Sequence, residues 1–296
     1  MDFKGKVAII TGGGGGIGHG YALPVLRNGM KLVLADINQE RLDAMKARLE
    51  KEVPGSEIAT WQGELSSLDA NKELCKFTFD TFGRVDMVFL NAGIHFHKNF
   101  FLMTDNDWEF IIRCNLYTVL NGARVFVPVL KDNPEGGNLI TTGSGASIGF
   151  GPTMGHYMMV KHAVLGLSGS IQTELDAMGV KNVLITCVMP DFVSSNLMTS
   201  VTDVREAMGL TNPEEPQTEV DKYYEKQFLD HVQAVYDGAP KPDATVITNE
   251  EAGEVVWQGI LDKKNFVLTH QGTFSSGAAL GKQIDNGYVG SAIQDV

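Results

Sequence analysis

The stretch TGGGGGIGHG, residues 11–20, decides the fold because it joins a strand-like run to a helical pattern. The run KVAIIT (6–11) leads into the turn, and the helical pattern follows directly. Glycines let the backbone turn sharply and approach a pyrophosphate, and the next helix offers free N–H groups and the positive end of its dipole. The turn therefore predicts a dinucleotide-binding loop, with contacts expected from Gly12, Gly14, Gly16, Ile17 and Gly18.

A carboxylate stands at the distance from this turn that a bound dinucleotide requires. Asp36 lies near the end of the second strand-like run, KLVLADI (31–37), 18 residues after Gly18, and Ile37 follows it. A carboxylate there can accept hydrogen bonds from the adenosine ribose hydroxyls, and it would repel a 2′-phosphate. The residues therefore predict NAD rather than NADP. The alternative is a purely structural glycine turn followed by a surface aspartate.

Short apolar runs alternate with amphipathic patterns along most of the chain. The expected strands lie at 6–11, 31–37, 57–65, 85–93, 137–143, 182–190 and 265–272. These runs are mostly apolar without alternation, as expected of parallel strands that are covered on both faces. Helical patterns, such as those at 38–53 and 67–82, lie between them. The sequence therefore predicts an α/β fold, a doubly wound, Rossmann-type parallel sheet with right-handed crossovers.

One domain is expected at residues 1–272, with an insertion and a tail that break the alternation. The segment 197–247 is too long for a connector and holds four of the ten prolines. It is predicted to be a substrate lid with short helices. The Gly- and Ser-rich tail, 273–296, is expected either to be disordered or to dock on a partner subunit.

Two local signals concern individual helices. Thr248 and Glu251 form a capping-box pattern, which predicts a helix near 249–264. Pro24 lies inside the helix expected after the glycine turn. There it would remove a backbone hydrogen bond and bend the chain.

The composition argues against several classes of protein. The net charge is −12 and no block of Lys or Arg is present, which disfavours nucleic-acid and anionic-membrane partners. Cys75, Cys114 and Cys187 are far apart and form no CxxC motif, so a reduced, cytoplasmic protein without disulfides or a zinc site is expected. No apolar run is long enough to cross a membrane, and the N-terminal run is too short for a signal peptide.

Further motifs follow the glycine turn in a regular order. Together with the turn they are Thr11-Gly12-x-x-x-Gly16-Ile17-Gly18, Asn91-Ala92-Gly93 after the fourth strand, Asn115 in the next helix, Ser144 after the fifth strand, and Tyr157 and Lys161 in GHYMMVK (155–161). Ser144 precedes Tyr157 by 13 residues, and Lys161 follows it by four. From about Lys6 to Gly272 the chain resembles the short-chain dehydrogenase/reductase family in its single-domain, NAD-dependent form.

The spacing of Tyr157 and Lys161 indicates acid–base chemistry. A tyrosine side chain has an unperturbed pKa of about 10, and a nearby ammonium lowers it by stabilising the phenolate. Residues four apart share one helix face, so Lys161 can lie beside Tyr157. Tyr157 can then take a proton from a substrate hydroxyl while hydride leaves for the nicotinamide, or return that proton in reduction.

The resemblance assigns roles to the neighbouring residues. It implies that Ser144 hydrogen-bonds the reacting oxygen, that Lys161 also holds the nicotinamide ribose, and that Asn115 positions a water between Lys161 and solvent. The cofactor contacts that it implies beyond the turn and Asp36 are Glu64, Leu65, Asn91, Ala92, Gly93, Tyr157, Lys161, Pro190, Val193 and Ser195.

Two stretches depart from the pattern of the family. After Pro190 the usual glycine is Asp191, and the usual threonine is Ser195, which still offers a hydroxyl. Asp191 either aids the oxidised cofactor electrostatically or points to solvent. Glu64 and Leu65 stand where the family usually has an aspartate that contacts the adenine.

The stretch HFHK (95–98) has three open interpretations, a metal site, a pocket lining and a solvated loop. Zinc needs a fuller set of ligands, so no metal is predicted. The residues expected to line the substrate cavity are Ser144, Tyr157, His95, Phe150, Phe192, Leu197 and Met198. They carry few charges, which favours an apolar or aromatic carbinol as the small-molecule substrate.

The predicted function is reversible hydride transfer between NAD(H) and a secondary alcohol or ketone. One alternative is a catalytically idle NAD-sensing protein on the same fold, and another is a family member that acts on a sugar, a polyol or a dihydrodiol. By the resemblance, a homodimer or homotetramer is expected, packed through helices near 104–129 and 155–179.

Overall fold

Strands and helices alternate along the part of the chain that the computed structural model describes, residues 2–210, 217–239 and 246–270. The strands are β1 (Val7–Thr11), β2 (Lys31–Asp36), β3 (Ile58–Gln62), β4 (Met87–Leu90), β5 (Gly137–Thr142), β6 (Val183–Met189) and β7 (Phe266–Leu268). The α-helices are α1 (Ile17–Arg27), α2 (Gln39–Glu52), α3 (Leu68–Phe82), α4 (Asp105–Ile112), α5 (Thr118–Asp132), α6 (Gly155–Ala177), α7 (Val201–Ala207), α8 (Glu219–Phe228), α9 (Ala234–Tyr236) and α10 (Asn249–Leu261). Short 3-10 segments lie at Phe100–Leu102 and Gly145–Ile148, and π-helical segments at Arg113–Tyr117 and Leu229–Gln233.

The strands form one parallel sheet in the order β3-β2-β1-β4-β5-β6-β7. In β1, Ile10 lies beside Leu34 of β2 on one side and beside Phe89 of β4 on the other. The strand order therefore reverses at β1, and open α/β sheets bind ligands in the crevice at such a point. The predicted doubly wound α/β fold is confirmed, and each of the seven strands lies within its predicted segment.

Successive side chains of a strand enter two different cores, one on each face of the sheet. Ile10 belongs to a buried cluster with Tyr21 of α1 and Trp257 of α10. Ile9 belongs to a second cluster, on the opposite face, with Phe126 of α5. Because both faces are covered, the strands read as continuous apolar runs rather than as alternating ones.

Pro24 stands inside α1, where a close contact with α10 accommodates it. Pro24 has no N–H, so the carbonyl of Gly20, four residues earlier, receives no helical hydrogen bond from it. That carbonyl lies against Gly253 of α10, where an added Cβ would be 1.9 Å from the oxygen. Conversely, a Cβ added to Gly20 of α1 would be 1.8 Å from the carbonyl oxygen of Asn249 of α10. The two glycines thus let the helices touch backbone to backbone, with Cα–H groups facing carbonyl oxygens.

The segment predicted as a lid, 197–247, carries α7, α8, α9 and the π-helical segment between the last two. Residues 211–216 and 240–245 of this segment lie outside the described residues, as does the predicted tail at 273–296. Most of the described residues of the segment are helical, and Leu197, Ser200 and Val204 line the cleft described below.

The start of α10 has the predicted cap. The Thr248 hydroxyl accepts from the Glu251 N–H at 3.1 Å, and the Glu251 carboxylate accepts from the Thr248 N–H at 2.7 Å. This capping box confirms the predicted start, and the helix ends at Leu261 rather than at 264.

The helix predicted near 104–129 consists of α4, a π-helical segment and α5, whereas the helix predicted near 155–179 is the single helix α6. None of the described helices is both long and apolar enough to cross a membrane.

Candidate active site

The glycine turn forms one wall of a cleft at the carboxyl ends of β1, β2 and β4. Gly12 and Gly16 have φ values of 62° and 53°, which residues with side chains rarely adopt. The Gly14 N–H donates to the Asp36 carboxylate at 3.0 Å and so ties the turn to β2. A Cβ on Gly12 would lie 2.9 Å from the Cα of Ala92, so glycine is needed for this close approach. The turn presents backbone rather than side chains to the cleft, as a pyrophosphate-binding loop requires.

Most of the predicted turn residues face the cleft, but Gly18 does not. The cleft is lined by Gly12, Gly14, Gly16 and Ile17. Gly18 lies in the first turn of α1, where an added Cβ would be 2.6 Å from the Gly12 carbonyl oxygen. Glycine at this position lets α1 pass close to the turn and direct its N-terminus at the cleft.

Asp36, at the end of β2, is held as a hydrogen-bond acceptor on the cleft wall. One oxygen accepts from the Gly14 N–H and the other from the Asn38 N–H, each at 3.0 Å. Burial raises the pKa of Asp36, and these hydrogen bonds and the nearby Arg41 guanidinium oppose the rise. Asp36 and Ile37 both line the cleft, where the adenosine ribose is predicted to lie.

Glu64 and Leu65 line the cleft beyond Asp36. The Glu64 carboxylate accepts from the Ser66 N–H and from the Ser66 hydroxyl, both at 2.8 Å, and it lies 3.2 Å from the Arg113 guanidinium. These protein groups already hold the carboxylate in place. Glu64 therefore joins the turn after β3 to the segment after α4, a role that a shorter aspartate would not fill in the same way.

The NAG motif is joined to the end of β1 through Thr11. The Thr11 hydroxyl accepts from the N–H groups of Asn91, at 2.9 Å, and Ala92, at 3.0 Å. The Asn91 amide donates to the Thr11 carbonyl at 3.1 Å, and the Thr142 hydroxyl donates to the Asn91 Oδ1 at 3.2 Å. Asn91, Ala92 and Gly93 thus line the middle of the cleft between two threonines.

Ser144, Tyr157 and Lys161 converge on the cleft from two elements. Ser144 follows β5, and its hydroxyl accepts from the Ala146 N–H at 3.1 Å. Tyr157 and Lys161 lie one turn apart on α6 and are 6% and 3% exposed. The Lys161 Nζ donates to the Thr142 carbonyl at 2.8 Å and lies 5.5 Å from the centre of the Tyr157 ring. The fold thus brings together the three side chains that proton transfer at a carbinol requires.

Burial, rather than Lys161, dominates the titration of Tyr157. Burial raises the pKa of Tyr157 to about 12, and the interaction with the Ser144 hydroxyl opposes the rise. Burial also lowers the pKa of Lys161 to about 8. The prediction that the lysine lowers the pKa of the tyrosine is therefore wrong for the protein alone, because burial disfavours the charged form of each group. With these groups alone, Tyr157 stays protonated near neutral pH.

Asn115 lies behind Gly93 rather than on the cleft wall, in the π-helical segment between α4 and α5. Its Oδ1 accepts from the Ile94 N–H and its Nδ2 donates to the Ile111 carbonyl, both at 3.2 Å. A Cβ on Gly93 would be 2.6 Å from the Asn115 Oδ1 and 3.6 Å from the Lys161 Nζ. Glycine at this position therefore lets Asn115 and Lys161 approach each other behind the NAG motif.

The chain after β6 forms a further wall of the cleft. Pro190 and Ser195 line it. Val193 is buried, forms an isolated parallel bridge with Ile247 and is not part of the cleft wall. Asp191 is exposed at the surface, as in the interpretation that it points to solvent.

The predicted substrate residues of the later loops are only partly brought together. Leu197 lines the cleft. Phe150 and Phe192 are 75% and 49% exposed and are not part of the cleft wall. Phe150 stacks instead on the outer face of His162, with ring centres 5.8 Å apart. Met198 is buried in the protein and is also not part of the cleft wall.

His95 lies against Tyr157 and is 2% exposed, so the interpretation of HFHK as a solvated loop is wrong. The ring centres of His95 and Tyr157 are 4.4 Å apart. The His95 Nε2 lies 3.4 Å from the His97 Nε2. Among the residues that the structure describes, no three His, Cys, Asp or Glu side chains are arranged to hold a metal ion.

Helix α7 lies across the cleft and is anchored on both sides. Asp203 pairs with Arg41 of α2, and Arg205 pairs with Asp107 of α4. The Arg205 guanidinium also lies over the Phe110 ring, 4.4 Å from its centre. These contacts hold α7 in place over the cleft.

Several residues of the cleft were missed from sequence. They are Gly15, Arg41, Gly63, Ile94, Cys114, Thr118, Thr142, Gly143, Asn196, Ser200, Val204 and Met208. Thr142 and Gly143 stand at the carboxyl end of a predicted strand, and this position could have placed them at the cleft. Arg41, Val204 and Met208 come from helices or helix ends, and their orientation depends on tertiary packing that no local pattern specifies.

Known proteins share this architecture and parts of this sequence. The family model described as short chain dehydrogenase matches residues 6–206. An uncharacterized oxidoreductase of Listeria innocua is 30% identical over 72% of this chain and 84% of its own length. The 15-hydroxyprostaglandin dehydrogenase (NAD⁺) of Homo sapiens is 28% identical over 71% of this chain and 76% of its own. The crystal structure of a short-chain dehydrogenase/reductase from Burkholderia phymatum in complex with NAD has a TM-score of 0.86 and 26% identity, covering 96% of both chains.

A nicotinamide-linked oxidoreductase is the class of protein that this fold and this cleft define. More specifically, the chain belongs to the short-chain dehydrogenase/reductase family. It is therefore an NAD(P)-linked oxidoreductase of alcohols or ketones that acts on a small-molecule substrate.

Proposed function

We propose that the protein interconverts a secondary alcohol and its ketone with NAD(H), and that its substrate is an apolar or aromatic carbinol. One observation carries this proposal. Tyr157, Lys161 and Ser144 meet in the same cleft in which the Asp36 carboxylate stands beside the glycine turn. Acid–base groups for a carbinol and a binding site for a nicotinamide dinucleotide thus share one cavity.

Tyr157 is the group that transfers the proton. Its pKa of about 12 keeps it protonated near neutral pH, so it is ready to donate to the oxygen of a ketone that is being reduced. In the opposite direction it takes the proton of the carbinol. The Ser144 hydroxyl beside it donates a hydrogen bond to the reacting oxygen. Bound NAD(H) supplies the hydride acceptor or donor.

Lys161 and Asn115 replenish the proton on Tyr157. With a pKa of about 8, Lys161 can hold and release a proton near neutral pH. Asn115 lies on its inner side, across the gap that Gly93 leaves open. The proposed route runs from Tyr157 through Lys161 to a water held at Asn115.

The choice of NAD over NADP rests on Asp36. Both of its oxygens are fixed by backbone N–H groups, so the carboxylate cannot turn away from a 2′-phosphate. The NAD bound to the Burkholderia phymatum relative supports this proposal. We expect kcat/KM to be at least about tenfold higher with NAD than with NADP, and Asp36→Ser to reduce that ratio. A preference for NADP in the unmodified protein would contradict the proposal.

The substrate class follows from the walls beside the reacting groups. Ile94 and Leu197 also line the cleft, and apart from Lys161 its charged lining residues are Asp36, Arg41 and Glu64, on the side where the adenosine is predicted to lie. An uncharged, largely apolar substrate is therefore favoured at the reacting end.

The function can be tested by NADH formation between pH 7 and 9. The purified protein would be supplied with NAD and with aryl carbinols, cyclic alcohols, polyols and dihydrodiols in turn, and Tyr157→Phe would serve as the control. We expect turnover of aryl or alicyclic carbinols that the variant loses by a factor of at least about 100. Tight NAD binding without turnover of any class would favour the sensing protein instead.

We also propose that the protein works as a homodimer or homotetramer in the cytoplasm. Cys75, Cys114 and Cys187 are free thiols, which suits a reducing compartment. Tyr117 and Met159 are 44% and 43% exposed on the helical segments expected to pack against a partner. A monomer in size-exclusion light scattering would contradict the proposed assembly.

A further inference from the structure

A buried histidine adjoins the reacting tyrosine and is not used by the proposed mechanism. His95 packs its ring on Tyr157, with ring centres 4.4 Å apart and planes 48° apart. Its backbone N–H donates to the carbonyl of Leu197, a residue of the cleft wall. His95 thus contacts the catalytic phenol through its ring and the first residue of the predicted lid through its backbone.

His95 is one end of a hydrogen-bonded chain that leads away from Tyr157. Its Nε2 lies 3.4 Å from the His97 Nε2, and the His97 Nδ1 lies 2.8 Å from the Thr153 hydroxyl. Burial lowers the pKa of His97 to about 4 and that of His95 well below its ordinary range. Both rings are therefore neutral near pH 7, and each offers one donor and one acceptor.

The far end of this chain is held in an unusual conformation. Thr153 has a φ of 59°, in the left-handed region that β-branched residues avoid. Such a conformation persists only when its surroundings impose it, and it is most common at functional sites. Here it accompanies the hydrogen bond between the Thr153 hydroxyl and His97.

Helix α8 encloses the histidines from the opposite side. The Phe228 ring lies 6.2 Å from that of His95, and the Tyr224 ring lies 5.9 Å from that of His97. The two imidazoles are therefore shielded from bulk water, and a hydrogen bond formed by them contributes more than it would in water.

The near end of the chain lacks a partner. The His95 Nδ1 is buried and makes no hydrogen bond among the described residues. A buried polar atom without a partner is costly, and native proteins rarely leave one unless a ligand or a water satisfies it. His95 is not itself part of the cleft wall, but the ring that carries this atom packs on Tyr157, which is, so a molecule bound at Tyr157 is a candidate partner.

We infer that the His95 Nδ1 binds a second oxygen of the substrate, carried on the atom next to the reacting carbinol. This inference rests on the proposed function and narrows its substrate class to a secondary alcohol or ketone with a vicinal hydroxyl, ether or carbonyl oxygen. His95 acts as a specificity-determining residue, while Tyr157 and Ser144 bind the reacting oxygen.

The hydrogen-bonded series from Thr153 through His97 to His95 lets the His95 Nδ1 serve as either a donor or an acceptor. When His97 donates to Thr153, it accepts from the His95 Nε2, and the His95 Nδ1 is then an acceptor for a hydroxyl. When Thr153 donates to His97, the order is reversed, and the His95 Nδ1 carries the proton and donates to an ether or carbonyl oxygen. The reversal moves protons along neutral rings and needs no change in net charge.

Two carbinols of nearly equal shape test the inference. 1-Phenylpropan-1-ol and 1-phenylethane-1,2-diol differ only in a terminal methyl that is replaced by a hydroxyl. We expect the unmodified protein to oxidise the diol at its benzylic carbon with a kcat/KM at least about tenfold higher than that of the alkanol. His95→Phe keeps a ring against Tyr157 and should bring this ratio close to one, whatever its effect on the kcat/KM of the alkanol.

Two conservative variants separate a role of the Nδ1 from a general loss of packing. His95→Asn places an amide near the position of the Nδ1 and should retain most of the preference for the diol. His95→Gln places its amide near the Nε2 and should lose it. Comparison of His95→Asn with His95→Gln also tests the role of the Nδ1 if His95→Phe does not fold.

Turnover of both carbinols without preference, or a preference that survives in His95→Gln and His95→Phe, would overturn the inference alone. Failure to oxidise either carbinol with NAD would instead overturn the proposed function and the inference with it.

Discussion

Arg41 of α2 and Asp203 of α7 form an ion pair across the nucleotide cleft. Arg41 lies next to Asp36 and Gly14, at the end of the cleft that is predicted to hold the adenosine ribose. Asp203 belongs to α7, which lies over the cleft. Arg205, two residues later in the same helix, forms an ion pair with Asp107 on the opposite side. Any movement of α7 away from one of these walls would break the ion pair on that side.

Breaking this pair should loosen the hold on the cofactor. Asp203→Asn removes the charge but keeps the shape of the side chain, and Asp203 is 57% exposed, so the interaction is weak. We expect the Kd for NADH to rise by about two- to fivefold, mostly through faster dissociation. Stopped-flow fluorescence of bound NADH measures both quantities.

A matched control lies elsewhere in the segment that is predicted to be a lid. Asp230 forms a similar exposed ion pair with Lys226, but both partners lie in one helical stretch and do not bridge the cleft. Asp230→Asn should leave the Kd for NADH unchanged. Equal effects of the two substitutions would show that the Arg41–Asp203 pair does not restrain α7.

The pKa values in the cleft predict different pH profiles for the two directions of the reaction. Tyr157 must lose a proton to act as a base, and with a pKa of about 12 the ionised fraction of the free protein rises about tenfold for each pH unit. The kcat/KM for alcohol oxidation should therefore increase steadily from pH 6 to 9. For ketone reduction it should stay level up to about pH 8 and fall as Lys161 loses its charge. An oxidation rate that is independent of pH over this range would contradict the assignment of Tyr157.

Replacing Lys161 by an apolar residue should stabilise the folded protein, because burying the charged ammonium is unfavourable. Its pKa is lowered from 10.5 to about 8 on folding, so between these values the unfolded chain holds a proton that the folded protein has released. The stability contributed by this group therefore rises with pH across that window, and below pH 8 the full cost of burying the ammonium remains. We expect Lys161→Met to raise the free energy of unfolding at pH 7 by about 1–3 kcal/mol, less at pH 10, while it abolishes turnover. Urea denaturation at both pH values measures the effect.

The control for this substitution is an exposed lysine. Lys181 is 75% exposed, and Lys181→Met should produce no comparable gain at pH 7. A loss of stability in Lys161→Met at pH 7 would mean that the hydrogen bond from Lys161 to the Thr142 carbonyl outweighs the cost of burial.

The fold could be predicted from sequence because its strands are buried on both faces. Ile9 and Ile10 enter opposite cores, so β1 reads as a continuous apolar run, and the other strands follow the same rule. Residues at strand ends, such as Asn91 and Ser144, could then be placed at one edge of the sheet. The cap of α10 at Thr248 is a local pattern and was equally readable.

What the sequence did not reveal depends on packing between distant segments. The π-helical segment that carries Asn115 has no local signature, and the pairing of Arg41 with Asp203 joins helices far apart in sequence. Phe150 and Phe192 are aromatic, yet composition does not tell which side of a loop faces the cleft. The shift in the pKa of Tyr157 was predicted in the wrong direction, because the extent of burial is a property of the folded protein.

The contact between α1 and α10 predicts a severe effect of a single methyl group. A Cβ on Gly253 would lie 1.9 Å from the Gly20 carbonyl oxygen, which is backbone and cannot move aside cheaply. We expect Gly253→Ala to lower the free energy of unfolding by about 3 kcal/mol, because overpacking outweighs the better helix propensity of alanine. Gly166, exposed on α6, has no atom within 4 Å of an added Cβ, so Gly166→Ala should instead stabilise the protein by up to about 1 kcal/mol. Urea denaturation compares the two variants, and equal midpoints would show that α1 and α10 do not touch through their glycines.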